Sequence, residues 1–295
     1  MRIFVTGGTG FIGSVVAREL IDRGHEVIGL ARSESSCKIL EKLGASVFEG
    51  SLEDLDSLHR GADISDAVIH MAFIHVFSNF GAAIETDRRA IETIGETLAG
   101  SNRHFIITSG VLTGKDGQVT TENDDSDPAA FPRLSETAAL PFVKRDVRVS
   151  VVRPARFVHG EGDTHGFIPQ LIDIARKRGI SAYIGNGLYR CHAAHRLDVA
   201  HLFCLAVERG TAGARYQAVG DTGIAFRDIA GMIGQRLSIP SVSIPAEDAM
   251  SHFGFLGQIV GADNPASSEI TRETLGWQPA HPSLLQDLSS DFYFA

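Results

Sequence analysis

Cysteine is scarce in this chain. There are three in 295 residues, Cys37, Cys191 and Cys204, and no spacing among them gathers metal ligands. That pattern excludes a disulfide framework and a zinc module, and three free thiols point to a reducing compartment. Long apolar runs are missing too. No stretch approaches membrane-spanning length, and residues 1–14 carry no basic segment, apolar core or cleavage site of a secretory leader. A cytoplasmic protein is the expectation. Positive charge is in deficit: 27 Lys and Arg stand against 36 Asp and Glu, a net −9, with no basic run. This argues against nucleic acid or an anionic membrane as partner and leaves a small-molecule substrate. Repeats and low-complexity segments are also lacking. The hydrophobic fraction of 43% and charged fraction of 21% are those of an ordinary globular protein, long enough for a large core.

Glycine, by contrast, is concentrated where the chain begins. Residues 2–5 (RIFV) read as a short buried strand, and Gly7, Gly8, Gly10 and Gly13 follow at once. Behind them Phe11, Ile12, Val15, Val16 and Leu20 recur at three- and four-residue steps, predicting a helix over 11–23 stopped by Gly24. Strand, glycine turn and helix in that order form a dinucleotide site. A residue without Cβ turns tightly and lets a pyrophosphate reach the backbone, and the helix N-terminus offers it unpaired N–H groups and partial positive charge.

The second strand, 25–31, ends at Ala31-Arg32-Ser33. A chain that binds NAD usually carries Asp or Glu here for the ribose 2′-hydroxyl; a guanidinium and a hydroxyl suit a 2′-phosphate instead. NADP is therefore expected rather than NAD, with Glu34 close enough to compete for Arg32. A helix over 33–43, a strand at 45–48 and a loop at 49–54 follow, placing Ser51 and Leu52 where an adenine is bordered. A strand at 66–73 brings Met71, Ala72 and Phe73 to a carboxyl end, the ligand side of an open α/β sheet. His70 and His75 flank that end and read as structural before catalytic. A helix over 81–99 and a strand at 104–109 lead to Ser109. Residues 111–131 form a loop long enough to cover a site. A helix over 134–143 and a strand at 148–152 complete the alternation. Strands alternating with helices from residue 2 to 152 predict a doubly wound parallel sheet, an α/β Rossmann region over 1–160. Residues 161–295 read as a smaller substrate-covering region, interleaved with the first or one domain with it. Within it, helices are expected at 167–178, 199–208 (capped by Asp198) and 226–237. Short strands at 182–184 and 191–195 flank the turn Gly185-Asn186-Gly187, and another strand lies at 216–219.

Several stretches together resemble the short-chain dehydrogenase/reductase superfamily in its extended or atypical branch, the epimerase/dehydratase-like proteins. They are Thr6-Gly7-Gly8-Thr9-Gly10-Phe11-Ile12-Gly13, Thr108-Ser109-Gly110, Arg153-Pro154 running to Gly160, Arg196-Leu197-Asp198-Val199-Ala200, and Leu275-Gly276-Trp277-Gln278-Pro279. The resemblance spans nearly the whole chain. It implies that Gly7, Gly10, Phe11, Ile12 and Gly13 hold the pyrophosphate and that Arg32 and Ser33 take the 2′-phosphate. It further implies that Ser51 and Leu52 border the adenine, that Met71, Ala72 and Phe73 line the ribose, and that Pro154, Ala155 and Arg156 lie by the nicotinamide. Ser109 matches the serine that hydrogen-bonds the substrate oxygen. Homodimers through helices near 81–99 and 132–145 are common in the superfamily, and monomer and dimer both stay open here.

The match breaks at the proton-transfer pair. The superfamily carries Tyr-x-x-x-Lys about two dozen residues after that serine. This chain has Arg133 there and Thr137 four residues on, and none of Tyr183, Tyr189, Tyr216 and Tyr293 has a lysine four residues later. Three readings follow. One is a carbonyl or alcohol oxidoreductase with a non-standard proton donor: Ser109 polarises the oxygen, Arg133 steadies an oxyanion, and the proton comes from water or from Tyr183, Tyr189, His165, His192 or His195. Another is a lyase or epimerase using bound cofactor, with Glu136 as base if it is not a solvated surface charge. The third is an NADP-binding sensor or interaction protein without catalysis. No metal ligands are expected in any of them. Phe157, Phe167, Tyr183, Tyr189, Phe253 and Phe255 are either core or the wall of an apolar pocket.

Overall fold

A computed structural model describes residues 1–74, 80–111, 117–125 and 133–295. His75, and the parts of the expected cover loop at 112–116 and 126–131, lie outside the described residues. The first half alternates as the sequence demands. It runs β1 (Arg2–Thr6), α1 (Gly13–Asp22), β2 (Glu26–Ala31), α2 (Glu34–Leu43), β3 (Ser46–Glu49), α3 (Leu55–Asp63), β4 (Ala67–His70), α4 (Phe80–Leu98), β5 (His104–Thr108), α5 (Ser135–Ala139) and β6 (Arg148–Pro154). The second half contains β7 (Phe157–His159), α6 (Phe167–Arg178), β8 (Ser181–Ile184), β9 (Arg190–His195), α7 (Arg196–Arg209), β10 (Arg215–Ala218), β11 (Asp221–Ala225), α8 (Phe226–Leu237) and β12 (Ser241–Ile244). Four short helices follow: α9 (Ala249–Phe253), α10 (Leu256–Val260), α11 (Glu269–Leu275) and α12 (Leu284–Ser289).

The main sheet has seven parallel strands in the order β10-β6-β5-β4-β1-β2-β3, so its direction of winding reverses beside β1 and β4. Its central strands are buried on both faces, as their unbroken Val, Ile and Phe runs require. β10 and α7 come from beyond residue 160 and return to this sheet, where α7 packs on α1. The two halves are interleaved rather than cut at 160. Carboxyl ends of β1, β4, β5 and β6 line one edge, and the second half stands over it.

The strands expected at 182–184 and 191–195 are present as β8 and β9 but do not pair with each other. β8 pairs in parallel with β12, while β9 joins β7 and β11. β9 is buried throughout its middle, as the central strand of a three-stranded sheet that sequence neighbours do not reveal. Two local expectations are corrected. The helix expected over 134–143 is α only to Ala139 and then tightens to a 3₁₀ turn at Leu140–Arg145. Pro141 has no N–H to continue the α pattern. Asp198 is not the cap of α7. His195 is, its Nδ1 accepting from Leu197 N at 3.2 Å. The Asp198 carboxylate instead accepts from Ala280 N (2.9 Å), His281 N (3.2 Å) and His281 Nδ1 (2.7 Å), and the Trp277 indole donates to its carbonyl at 2.9 Å. The chain's one tryptophan is thereby buried as the pin that fastens the C-terminal segment.

Candidate active site

The glycine turn is built closed against the protein and open toward a ligand. Gly7 has φ +75° and packs so tightly that a Cβ there would come 2.7 Å from Ala72 N. A Cβ on Gly13 would stand 1.9 Å from Gly7 O, so only glycine lets α1 begin directly on the turn. Gly10 N donates to Gly7 O at 3.0 Å and Ser14 N to Gly10 O at 2.9 Å. Among the described residues the N–H groups of Phe11, Ile12 and Gly13 have no protein acceptor. Three free donors at the start of a ten-residue helix form the cradle an anion requires, and the residues present fit a dinucleotide pyrophosphate.

At the end of β2, Arg32 is exposed and makes no ion pair among the described residues, while Glu34 pairs with Lys38 at 2.5 Å. The competition for Arg32 expected from the sequence does not occur. Ser33 caps α2 by accepting from Ser36 N at 3.3 Å, and its hydroxyl meets those of Ser35 and Ser36, each at 3.0 Å. A free guanidinium beside three hydroxyls and a helix N-terminus is a phosphate-binding chemistry. Ser51 Oγ shapes its own turn by accepting from Glu53 N and Asp54 N, both at 3.2 Å, and Leu52 belongs to the core with Phe4 and Leu58.

β4 is shorter than expected for a specific reason. Met71 N makes the last ladder bond, shared between Thr6 O and Thr6 Oγ1 at 3.2 Å each, and Ala72 N then turns to Thr6 Oγ1 at 3.2 Å. With its two lone pairs taken, Thr6 gives its proton to His70 Nδ1 at 2.9 Å. His70 therefore carries hydrogen on Nε2, which donates to Asp87 Oδ1 at 3.1 Å. His70 is wholly buried and structural. Asp87 of α4 is also buried. Burial works to raise its pKa, but the bonds from His70 and Ser135 and the charge of Arg133 outweigh it, holding the carboxyl low and ionised. Ser135 donates to Asp87 Oδ2 at 2.5 Å.

That carboxylate is the counter-ion of Arg133. Arg133 Nε lies 3.8 Å from Asp87 Oδ2 and donates to Ser135 Oγ at 2.9 Å, and the guanidinium stacks over Phe73, 4.4 Å from the ring centroid. Burial pushes the Arg133 pKa down while Asp87 and Glu136 oppose, and a guanidinium stays charged at neutral pH. Nη2 of Arg133 is buried and has no partner among the described residues. The structure thus brings Arg133 and Phe73 together at the ligand edge, on a base of groups from α4 and α5.

Ser109 follows β5 on the same edge, its N donating to Val152 O at 3.0 Å, and is almost fully buried. Its hydroxyl serves the Glu136 carboxylate. Glu136 is neither a base nor a solvated charge. Burial works to raise its pKa, yet Arg153, Ser109 and Arg215 together hold it low. Arg153 grips both oxygens at 2.8 Å and Arg215 Nε adds a third bond at 3.0 Å. The lyase reading loses its base. Pro154 closes β6, Ala155 is buried, and Arg156 N donates to His192 Nδ1 at 3.0 Å while its guanidinium reaches Ile259 O at 3.3 Å.

The second-half proton donors fare less well. Desolvation drives His192 to about 3 and His195 to about 4, so both are neutral and committed to structure. His165 is exposed beside Thr164, Tyr189 is exposed, and Tyr183 lies against Gly187. Phe157 and Phe253 are core, whereas Phe255 is surface-exposed.

Asp87 escaped the sequence reading because it belongs to no motif. Its signal was present, however. It sits on the apolar stripe of α4 with Ala83, Ala90, Ile91 and Ile94, where a carboxylate has no place unless it has a partner.

Residues 3–219 match the family described as "NAD dependent epimerase/dehydratase family". The chain is 48% identical over 296 residues to the uncharacterized protein C2A9.02 of Schizosaccharomyces pombe, covering all of both chains. It is 28% identical over 275 residues to a 4-hydroxy-2-methyl-3-oxo-4-farnesyl-3,4-dihydroquinoline-1-oxide ketoreductase of Stigmatella aurantiaca, covering 86% of this chain and 80% of that one. In fold it resembles the UDP-glucose 4-epimerase of Thermotoga maritima, with a TM-score of 0.78 at 23% identity, covering 100% of this chain and 98% of that one.

Proposed function

The chain belongs to the NAD dependent epimerase/dehydratase family, and from that premise we propose that it is an NADP-dependent reductase of a small-molecule carbonyl in which Arg133 replaces the missing tyrosine and lysine. The observation that carries the reading is the buried Nη2 of Arg133, without a partner among the described residues, at the carboxyl edge of the sheet. The ketoreductase relative supports the reaction class. The free guanidinium of Arg32, beside the hydroxyls around Ser33, supports NADP over NAD.

Gly7, Gly10, Phe11, Ile12 and Gly13 hold the pyrophosphate, Arg32 and Ser33 the 2′-phosphate, and Ser51 and Leu52 border the adenine. Met71, Ala72 and Phe73 line the ribose, and Pro154, Ala155 and Arg156 back the nicotinamide. When bound, NADPH supplies the hydride. Arg133 offers Nη2 to the carbonyl oxygen and stabilises the alkoxide as charge develops there. Phe73 and Ser135 fix the plane of the guanidinium, and Asp87 holds its charge from behind. Arg133 does not give up a proton. Water protonates the alkoxide, leaving hydroxide, and the carbonyl becomes an alcohol. Ser109 lines the pocket on the same edge.

Purified protein is tested for NADPH consumption across aldehydes, ketones and enones. Turnover of at least one class is expected, and Arg133→Leu should lower kcat/KM by about 10²–10³ with NADPH affinity little changed. Full activity in that variant, or bound NADPH that no carbonyl consumes, overturns the reading.

A further inference from the structure

One arginine of the second half lies over the glycine turn without belonging to any cofactor-binding pattern quoted above. Arg196, the first residue of α7, stacks its guanidinium on Phe11, 4.6 Å from the ring centroid. Phe11 also carries one of the three free N–H groups at the start of α1. Arg196 is held in place from the far side. Its Nη1 donates to Glu161 O at 2.5 Å, and a Cβ on Gly162 would come 2.9 Å from that same nitrogen, so the loop beneath leaves the guanidinium its room. Nε of Arg196 is buried and has no partner among the described residues. Burial works to lower its pKa, and the acidic groups Asp163, Glu161 and Tyr293 oppose that and favour its charge. The neighbouring His195 spends its Nδ1 on capping α7.

We propose that Arg196 is a pyrophosphate ligand, closing the glycine cradle from above with a positive charge delivered by the second half of the chain. The inference rests on the dinucleotide reading above. Backbone N–H groups alone present partial charges, whereas a pyrophosphate carries full ones. A guanidinium laid on Phe11 by cation–π contact supplies a full positive charge beside those N–H groups. It also ties cofactor binding to α7, the helix that packs on α1 and carries the C-terminal segment. Arg32 and Arg196 then divide the work. Arg32 reads the 2′-phosphate and distinguishes NADP from NAD. Arg196 reads what the two cofactors share.

The test is a set of fluorescence or calorimetric titrations of the full chain with NADPH, NADH and 2′-AMP, which keeps the 2′-phosphate and lacks the pyrophosphate. Arg196→Gln should weaken NADPH and NADH alike, by about tenfold, and leave 2′-AMP unchanged. Arg196→Lys should recover most of the loss. Unchanged NADPH affinity in Arg196→Gln overturns the assignment. So does an equal loss of 2′-AMP, because the substitution would then act through the shape of the turn. If the wild-type chain binds neither dinucleotide, the cofactor reading itself fails and the assignment falls with it. If the wild-type chain binds both and Arg196→Gln binds them equally well, the assignment fails alone.

Discussion

Individual side chains carry the site, and two of them have consequences that can be measured directly. Arg32 makes no ion pair among the described residues, while Glu34 is spent on Lys38. Arg32→Ala should therefore raise the dissociation constant of NADPH by about tenfold or more and leave that of NADH within about twofold. Equal losses for both cofactors would contradict a 2′-phosphate role. His70 offers a sharper check on the network behind Arg133. The two backbone donors on Thr6 force its proton onto His70 Nδ1, so nitrogen NMR at neutral pH should show the neutral tautomer with hydrogen on Nε2. Hydrogen on Nδ1 would mean that the chain of bonds from Thr6 to Asp87 is wired otherwise. Asp87→Asn should cost about 3 kcal/mol in chemical denaturation, since it leaves the buried guanidinium of Arg133 without its counter-ion.

At the scale of elements, helices and strands are held to one another by a few buried carboxylates. α5 is fastened to β6 and β10 by Glu136, through Arg153 and Arg215. α7 is fastened to the C-terminal segment by Asp198, which accepts three hydrogen bonds from Ala280 and His281. Asp198→Ala strands those donors and should lower stability by about 3 kcal/mol. Limited proteolysis should then cut near residues 277–283 before any other segment, while unchanged resistance there would show that Trp277 alone suffices. These fastenings explain what the sequence did and did not make legible. The elements of the first half followed from period and glycine punctuation, because each buries a repeating apolar face against its neighbour in the chain. β8, β9 and β12 pair with strands distant in sequence, and no local period encodes that choice. Asp198 and Glu136 looked like a cap and a solvated charge because their partners lie 82 and 17 residues away. The glycine turn was readable because its shape is backbone and local. The surroundings of Arg133 were not, since only the fold brings Asp87 and Phe73 beside it.

Across the whole molecule the buried ionisable groups set a pH dependence. His104, His192 and His195 are lowered from 6.5 to about 4, about 3 and about 4, chiefly by desolvation. The unfolded chain binds those protons first. Their contribution is complete above about pH 6.5 and is lost as the pH falls toward 4. Asp87 and Glu136, held low in the fold, add a second loss below the ordinary carboxylate range. Asp163, raised by burial, works the other way. Urea denaturation should therefore show stability falling from pH 7 to pH 5, with a shallower fall in His192→Gln; a flat or rising profile would contradict it. Among the described residues no helix is long and apolar enough to cross a membrane.

The central claim is that a cofactor held on the glycine turn reduces a carbonyl under Arg133. The most direct measurement uses NADPH carrying deuterium on the transferred position of C4, with mass spectrometry of the alcohol formed. One deuterium in the product, lost when Arg133 is replaced by Leu, is the expected result. Tight binding of the labelled cofactor with no label reaching any product would contradict the account.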